Sequence, residues 1–466
     1  MLRLDDEHRN AVWAELTSIL DDYSAHVETW PVTPELNPEK LRALLAPCDF
    51  SSPADPVEAL RLAANGLRHY QVHTPHPRYY GLFNPAPTTM GIVADALIAG
   101  FNPQLAAWSH SPFAVEVENH LIRAIGSRFG YSPSAVDGAF ASGGMEANHT
   151  AVLAALTHKF PDFAAKGLRA LDAQPAFYVS SESHHSFLKA ARLCGLGMDS
   201  VRHIEVDAAL RMRPDSLREA IERDRADGFA PFLIVATAGT TNAGAIDPLP
   251  ALADEAADRH LWYHVDAAWG GGAAFVPELA GLLNGIERAD SITFDAHKWL
   301  SVPMGAGLFL TRHTDIMDKT FRVSTAYMPR DADGLDIIDP HLHSMQWSRR
   351  FIGLKVFLSL LVAGWEGYAE AIRHQTRMGA LLRSGLAEDG WEIVNDTPLP
   401  VVCFAKPGAT ADAHQEMVAR IVRSGEAWIS TTAVAGNRTV LRACITNYRT
   451  QESDIRALVN LMSKFR

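Results

Sequence analysis

Three stretches of the chain carry side chains whose types and spacing could do chemistry together. SITFDAHKWLSVP, residues 291–303, runs an apolar strand pattern straight into Asp295, His297 and Lys298. A lysine at a strand end is ordinarily a charge leaving the core for water. LWYHVDAAWGG, residues 261–271, puts Asp266 behind a nearly continuous apolar run, where a carboxylate is costly unless a cation meets it. FASGGMEANHTAVLAAL, residues 140–156, sets Gly143 and Gly144 before an amphipathic helix, leaving free backbone N–H groups and a positive dipole end for a phosphate. Each stretch alone has an ordinary explanation: a glycine turn, an aspartate with a structural arginine partner, a solvated lysine. The glycine pair matches neither the Walker pattern nor G-x-G-x-x-G.

Together the three explain one another. A phosphate cradle, a partly buried carboxylate and a strand-end lysine 32 positions further on are what a protein needs to hold pyridoxal phosphate. The lysine bonds the aldehyde, and the acid keeps the pyridine nitrogen protonated. His185, in VSSESHHSF, adds a flat ring to stack on the pyridine, and Ala268 is small enough to pack its opposite face. Thr240, in ATAGTTNAG, offers a hydroxyl at the same edge.

The elements that must position these groups are legible in the rhythm of the chain. Beyond Ser132, short apolar runs (AFYVS, SVRHIEV, PFLIVAT, LWYHVD, SITFD, GAGLFLT) alternate with helical segments such as DSLREAIERDRADG. That alternation predicts an α/β fold, a mainly parallel sheet wrapped by helices, with reactive groups gathered at the carboxyl ends of the strands. The first 75 residues read as a helical preface, residues 76–346 as the large domain, and residues 347–466 as a smaller C-terminal α+β domain. HTPHPRYYGLFNPAPTT, rich in proline and aromatics, is expected as a structured loop walling a pocket.

At 466 residues, 47% hydrophobic and 21% charged, the composition is globular and ample for a large core. A formal net charge of -12 without a basic run argues against nucleic acid as a partner. The four cysteines are scattered, which suits reduced thiols in a cytoplasmic enzyme. The acidic start MLRLDDEHRN lacks a signal core, and VFLSLLVAGW is too short to span a bilayer, so no membrane association is expected.

HVDAA, DAHKW, SSESHHS and ATAGTT, in this chain order SSESHHS, ATAGTT, HVDAA, DAHKW, resemble the group II pyridoxal-phosphate-dependent decarboxylases. That family includes aromatic-L-amino-acid, glutamate and diaminobutyrate decarboxylases. HPRYYGLFNPAPT, WSHSPFAVEVE and FRVSTAYMPR follow the family's order, so the resemblance is clear from His76 to about Arg350. It implies the aspartate-aminotransferase-like fold (fold type I) and a homodimer with active sites at the subunit interface. It also implies that Lys298 is the lysine bound to the cofactor aldehyde, Asp266 the pyridinium partner and His185 the stacking ring. Gly144, Met145, Asp295 and His297 fall on phosphate-binding positions. Aromatic-type relatives carry Asn where this chain has Asp295. Tyr327 falls on a mobile loop's tyrosine, the general acid of decarboxylation; relatives with Phe there tend toward oxidative deamination.

The expected reaction is decarboxylation of an L-amino acid, with an aromatic substrate favoured. Positions that line the family's aromatic pocket fall at Phe83, Asn84 and Ala106, with His110 nearby, and Ser348 matches a serine of relatives preferring phenolic substrates. The alternatives are a decarboxylase of a non-aromatic amino acid, another pyridoxal-phosphate enzyme such as an aldehyde-forming oxidase, or a silent binding protein on the same fold. A silent protein would be expected to have lost Lys298 or Asp266, and both are present. His184-His185 and His341-Leu-His343 lack a third ligand at recognisable spacing, so no metal is expected.

Overall fold

The computed structural model describes residues 2–34, 36–323, 334, 335 and 337–465. Its central sheet has seven strands: β1 (Asp137–Ala141), β2 (Pro175–Ser180), β3 (Val201–Ile204), β4 (Ala230–Thr237), β5 (Trp262–Asp266), β6 (Ser291–Asp295) and β7 (Gly307–Thr311). They lie in the order β1-β7-β6-β5-β4-β2-β3. β3, β2, β4, β5 and β6 are mutually parallel, and β7 runs antiparallel to both its neighbours.

β2, β5, β6 and β7 are buried at every position, so they read as continuous apolar runs because helices cover both faces of the sheet. Side chains still alternate between the two faces. Phe177, Val179 and Val235 join Ala151 and Ala155 of the helix Gly144–Lys159, whereas Tyr178, Ile234 and Ala236 join Ile221 and Leu252 on the other side. Parallel pairing brings the carboxyl ends of β4, β5 and β6 level. Thr237 stands opposite Asp266, and Asp266 opposite Thr293.

A second, antiparallel sheet consists of β8 (Glu392–Ile393), β9 (Val401–Ala405), β10 (Ser430–Val434) and β11 (Arg438–Cys444), in the order β10-β11-β9-β8. The helices Ala411–Ser424 and Glu452–Phe465 cover it, with Met417, Ile421, Ile455 and Leu458 packed on Val402, Phe404 and Leu441. The helical stretch Gly353–Glu388, two helices joined across a kink at Gly364 (φ 63°), ties the sheets together. Leu354, Val356 and Ile372 sit in the first core and Met378, Leu382 and Leu386 in the second.

The N-terminal helices Asp6–His26, Pro38–Leu45 and Pro56–His69 bury none of their residues. The Pro-rich loop after them is pinned to the small sheet: Tyr80 N donates to Trp428 O at 2.8 Å, and a Cβ on Gly81 would meet the Trp428 ring at 2.3 Å. That contact delivers Phe83 to the ends of the large sheet.

Candidate active site

A cavity of about 300 Å³ opens at the carboxyl ends of β4, β5 and β6. The helix Gly144–Lys159 contributes Gly144, Met145 and Asn148; the strands contribute Thr237, Asp266 and Asp295; the turn after β6 contributes His297 and Lys298. Parallel topology explains this convergence, since each strand ends at the same edge and its following turn must cross the opening.

Lys298 lies in the single helical turn Ala296–Trp299 and directs Nζ to Asp295 Oδ2 at 3.0 Å. The same ammonium is 5.9 Å from the centroid of the Phe83 ring. Asp295 is 1% exposed, and its Oδ1 has no hydrogen-bond partner. His297 Nε2 stands 3.9 Å from Asp295 Oδ2, while its Nδ1 accepts from Ala306 N at 3.0 Å. Burial pushes the His297 imidazole below its ordinary value, so the ring is neutral near pH 7.

Asp266 is held from two directions. Oδ2 accepts from Asn148 Nδ2 at 2.9 Å and Oδ1 from Ala268 N at 3.1 Å. Both donors are neutral, and neither supplies the cation that a buried carboxylate of this kind requires. A protonated ring nitrogen is such a cation.

The residues present fit pyridoxal phosphate. Gly144 opens a 16-residue helix at the cavity wall, and the space a side chain would need there is taken: a Cβ would lie 2.9 Å from Asp295 Oδ2 and 3.5 Å from the Ala268 Cβ. Thr237, also on the wall, has a buried Oγ1 with no partner. Lys298 supplies the amine. Ala268 also lines the cavity.

At two of the expected positions a neighbouring residue lines the cavity of the single chain. His184, not His185, lines the cavity. Ser186 N donates to His184 Nδ1 at 3.2 Å, which fixes that ring in the turn; both histidines are exposed in the single chain, and His185 occupies the N-cap position of the helix Ser186–Leu193 without a side-chain capping bond. Burial lowers the His184 imidazole below its ordinary value. Thr240 is fully buried and turns its hydroxyl inward, Oγ1 accepting from Ala245 N at 3.1 Å; Thr237 and Thr241 line the cavity instead.

Of the expected pocket residues, Phe83 is closest to the chemistry, stacked on Trp269 at 4.4 Å and facing Lys298. Asn84, next along the loop, is half-buried. Ala106 is buried, its carbonyl accepting from His341 N and Nδ1, both at 3.0 Å, while His110 and Ser348 are exposed. None of the five, Phe83 included, lines the cavity within the single chain, although Trp269, on which Phe83 stacks, does. Tyr327 lies outside the described residues. Among the described residues there is no group of three or more His, Cys, Asp or Glu poised to hold a metal, and no helix is long and apolar enough to cross a membrane.

Arg442 of β11 escaped the sequence reading, because no motif surrounds it. It is 3% exposed, its Nε donates to Thr241 O at 3.0 Å and its Nη1 to Gly81 O at 2.7 Å. Its Nη2 is buried without a partner, and the guanidinium carbon stands 5.0 Å from the Phe83 centroid. Two cations thus approach one aromatic ring. A larger hollow, about 610 Å³ between the helices Asp6–His26 and Pro56–His69, lacks such a set. Its charges are already paired, Glu15 with Arg61 and Asp22 with Arg68.

The family profile described as the pyridoxal-dependent decarboxylase conserved domain matches residues 38–406. An aromatic-L-amino-acid decarboxylase of Bacillus atrophaeus is 31% identical, over 97% of this chain and 94% of that protein. A cysteine sulfinic acid decarboxylase of Mus musculus is 32% identical, over 79% of this chain and 74% of its own length. The crystal structure of Oryza sativa TDC with PLP and tryptamine superposes with a TM-score of 0.92 at 26% identity, covering 100% of this chain and 99% of that one.

Proposed function

The chain belongs to the pyridoxal-dependent decarboxylase family, and on that premise we propose that it converts an aromatic L-amino acid to its amine and CO2. Family membership makes it a fold type I carboxy-lyase that uses pyridoxal phosphate. The observation that carries the assignment of the site is the convergence of Lys298 and Asp266 on one cavity.

Bound pyridoxal phosphate supplies an aldehyde for the amine and an electron-withdrawing ring for the electrons left as CO2 departs. Lys298 would tether it through its side-chain amine. Asp266 keeps a proton on the ring nitrogen by presenting a carboxylate to it. Gly144, Met145 and the unpartnered Thr237 hydroxyl would receive the phosphate, and Ala268 and the neutral His184 ring, also on the cavity wall, would contact the cofactor ring. Arg442 offers its unpartnered Nη2 to a substrate carboxylate, which orients the bond to be broken. Tyr327 returns a proton to the carbon that loses CO2, a role carried over from the family resemblance.

Phe83 stacked on Trp269 beside Lys298 supports the preference for an aromatic side chain. A second reading, an acidic substrate, draws on Arg442, whose buried charge could pair with an acidic side chain. Purified protein with cofactor and a panel of aromatic, acidic, basic and aliphatic L-amino acids separates the readings when CO2, amine, ammonia and peroxide are all measured. Turnover of acidic substrates alone overturns the aromatic preference, and ammonia with peroxide in place of the amine overturns decarboxylation.

We also place this chain in a homodimer. Phe101 and Phe113 are 84% and 68% exposed, and Leu361 and Val362 67% and 68%, more bare apolar surface than isolated side chains warrant. Light scattering at micromolar concentration tests this, a monomer mass being the adverse result.

A further inference from the structure

We propose that Trp262, Ser291, His264 and Asn148 form a one-way hydrogen-bond relay that positions the Asp266 carboxylate, with His264 as the central positioning residue. The inference rests on the reading of Asp266 as the partner of the cofactor's ring nitrogen.

The distances run in an unbroken chain. Trp262 Nε1 donates to Ser291 Oγ at 2.9 Å, Ser291 Oγ lies 2.8 Å from His264 Nδ1, His264 Nε2 lies 3.3 Å from Asn148 Oδ1, and Asn148 Nδ2 donates to Asp266 Oδ2 at 2.9 Å. Every member is at most 5% exposed, so water does not compete for these bonds.

The Asp266 end forces the direction, and the Trp262 end is compatible with it. The indole can only donate, so Ser291 must accept from Trp262 and is free to turn its own hydrogen to His264 Nδ1. The carboxylate can only accept, so Asn148 must turn its amide nitrogen to Asp266 and its oxygen to His264. A neutral imidazole accepting at Nδ1 and donating at Nε2 satisfies both neighbours, whereas the opposite tautomer could still donate to Ser291 Oγ but would set Nε2 against Asn148 Oδ1, acceptor to acceptor. Burial supports the neutral ring, lowering the His264 imidazole to about 4. Thr293 Oγ1, 3.3 Å from Nε2, shares the same proton.

The relay forks at Asn148. Its second amide hydrogen reaches Ser186 Oγ at 2.9 Å, and Ser186 N holds His184 Nδ1 at 3.2 Å. One amide therefore orients Asp266 and, through Ser186, the turn that carries the His184 ring. Such a fixed dipole chain costs no reorganisation when charge develops at the carboxylate's partner.

The test is equilibrium titration of the full chain, followed by absorbance, with pyridoxal phosphate and with its carbocyclic counterpart in which C–H replaces the ring nitrogen. The unaltered protein is expected to prefer pyridoxal phosphate, because only that ligand has an atom for Asp266 to meet. His264→Phe removes both hydrogen-bonding atoms. It is expected to weaken pyridoxal phosphate roughly tenfold while leaving the counterpart within about twofold. His264→Gln, whose amide can accept from Ser291 and donate to Asn148, is expected to restore most of the preference. Equal weakening of both ligands, or of neither, overturns the relay. Should His264→Phe not fold, Asn148→Leu takes its place with the same expected and adverse results. Asp266→Ala separates the two layers. If it abolishes the preference while His264→Phe keeps it, the relay alone fails; if Asp266→Ala itself keeps the preference, the reading of Asp266 fails and the relay with it.

Discussion

Lys298 Nζ and Asp295 Oδ2 are 3.0 Å apart, and the second oxygen of that carboxylate, Oδ1, has no hydrogen-bond partner among the described residues. The pair therefore holds the amine at the cavity floor while leaving Asp295 under-compensated, a buried negative charge beside the glycine turn assigned to the phosphate. A tethering lysine must leave this ion pair before it can act as a nucleophile. Asp295→Asn keeps the shape and removes the charge. The apoprotein of this variant is expected to capture pyridoxal phosphate several-fold faster near pH 7, as read by stopped-flow absorbance. Slower capture would show that Asp295 helps deliver the amine.

Adjacent histidines give a sharp contrast. His184 lines the cavity, and His185, equally exposed in the single chain, sits at a helix N-cap position off the cavity wall. His184→Ala is expected to lower kcat by roughly a hundredfold through loss of cofactor and substrate orientation. His185→Ala should stay within a few-fold of the unaltered protein. Steady-state kinetics with saturating cofactor decides it, and equal losses in the two variants would refute the assignment.

Arg442→Lys keeps a cation and discards the planar fork that meets Thr241 O, Gly81 O and, in the reading above, a carboxylate. The expected cost in kcat/KM is roughly 2 kcal/mol or more, appearing chiefly in KM. Cofactor absorbance and melting temperature should change little by comparison. A loss confined to melting temperature would mark Arg442 as a purely architectural tie between the sheets.

Gln346 reaches the phosphate turn from the far side of the chain. Its Nε2 donates to Glu146 Oε1 at 2.6 Å, and Glu146 Oε2 in turn accepts from Ser142 N at 2.8 Å and Ser142 Oγ at 2.7 Å. Ser142 lines the cavity. Gln346→Glu sets two carboxylates face to face and is expected to weaken pyridoxal phosphate by about tenfold, with Gln346→Met losing less. Cofactor titration by absorbance checks the order of the two variants.

The strand ends were readable because a parallel sheet buried on both faces writes each strand as an apolar run, and a charge at the end of such a run has nowhere to go but the opening. Lys298 and Asp266 follow from that, whereas Asp295 and His297 rest on the family resemblance and Ala268 on its small size two places beyond Asp266. Turns are less legible. SSESHHS and ATAGTT each offer adjacent residues of the same type, and which one faces the cavity depends on a single backbone hydrogen bond, Ser186 N to His184 Nδ1 or Ala245 N to Thr240 Oγ1. Arg442 and Gln346 act across 201 and 200 residues of sequence, to Thr241 and Glu146, and local pattern carries no trace of such contacts. Ala106, His110 and Ser348 stand apart from the cavity in one chain, so their link to the substrate awaits the assembly proposed above.

His264 predicts an acid limb of stability as well as a role in orientation. The unfolded imidazole takes up its proton around pH 6.5, whereas burial delays protonation in the folded chain to about pH 4. The unfolded state thus binds more protons between those values, and stability must fall as pH falls from about 6.5 to 4, with no further loss from this group below that. The full contribution is on the order of 3 kcal/mol. His76, also lowered to about 4 by burial, adds to the same limb. His264→Gln removes the first contribution and leaves the second. Its thermal midpoint, measured between pH 7.5 and 4, is expected to fall less steeply than that of the unaltered protein. Parallel curves would mean that the His264 ring is solvated or charged in the native chain, which is incompatible with the tautomer the relay to Asp266 requires.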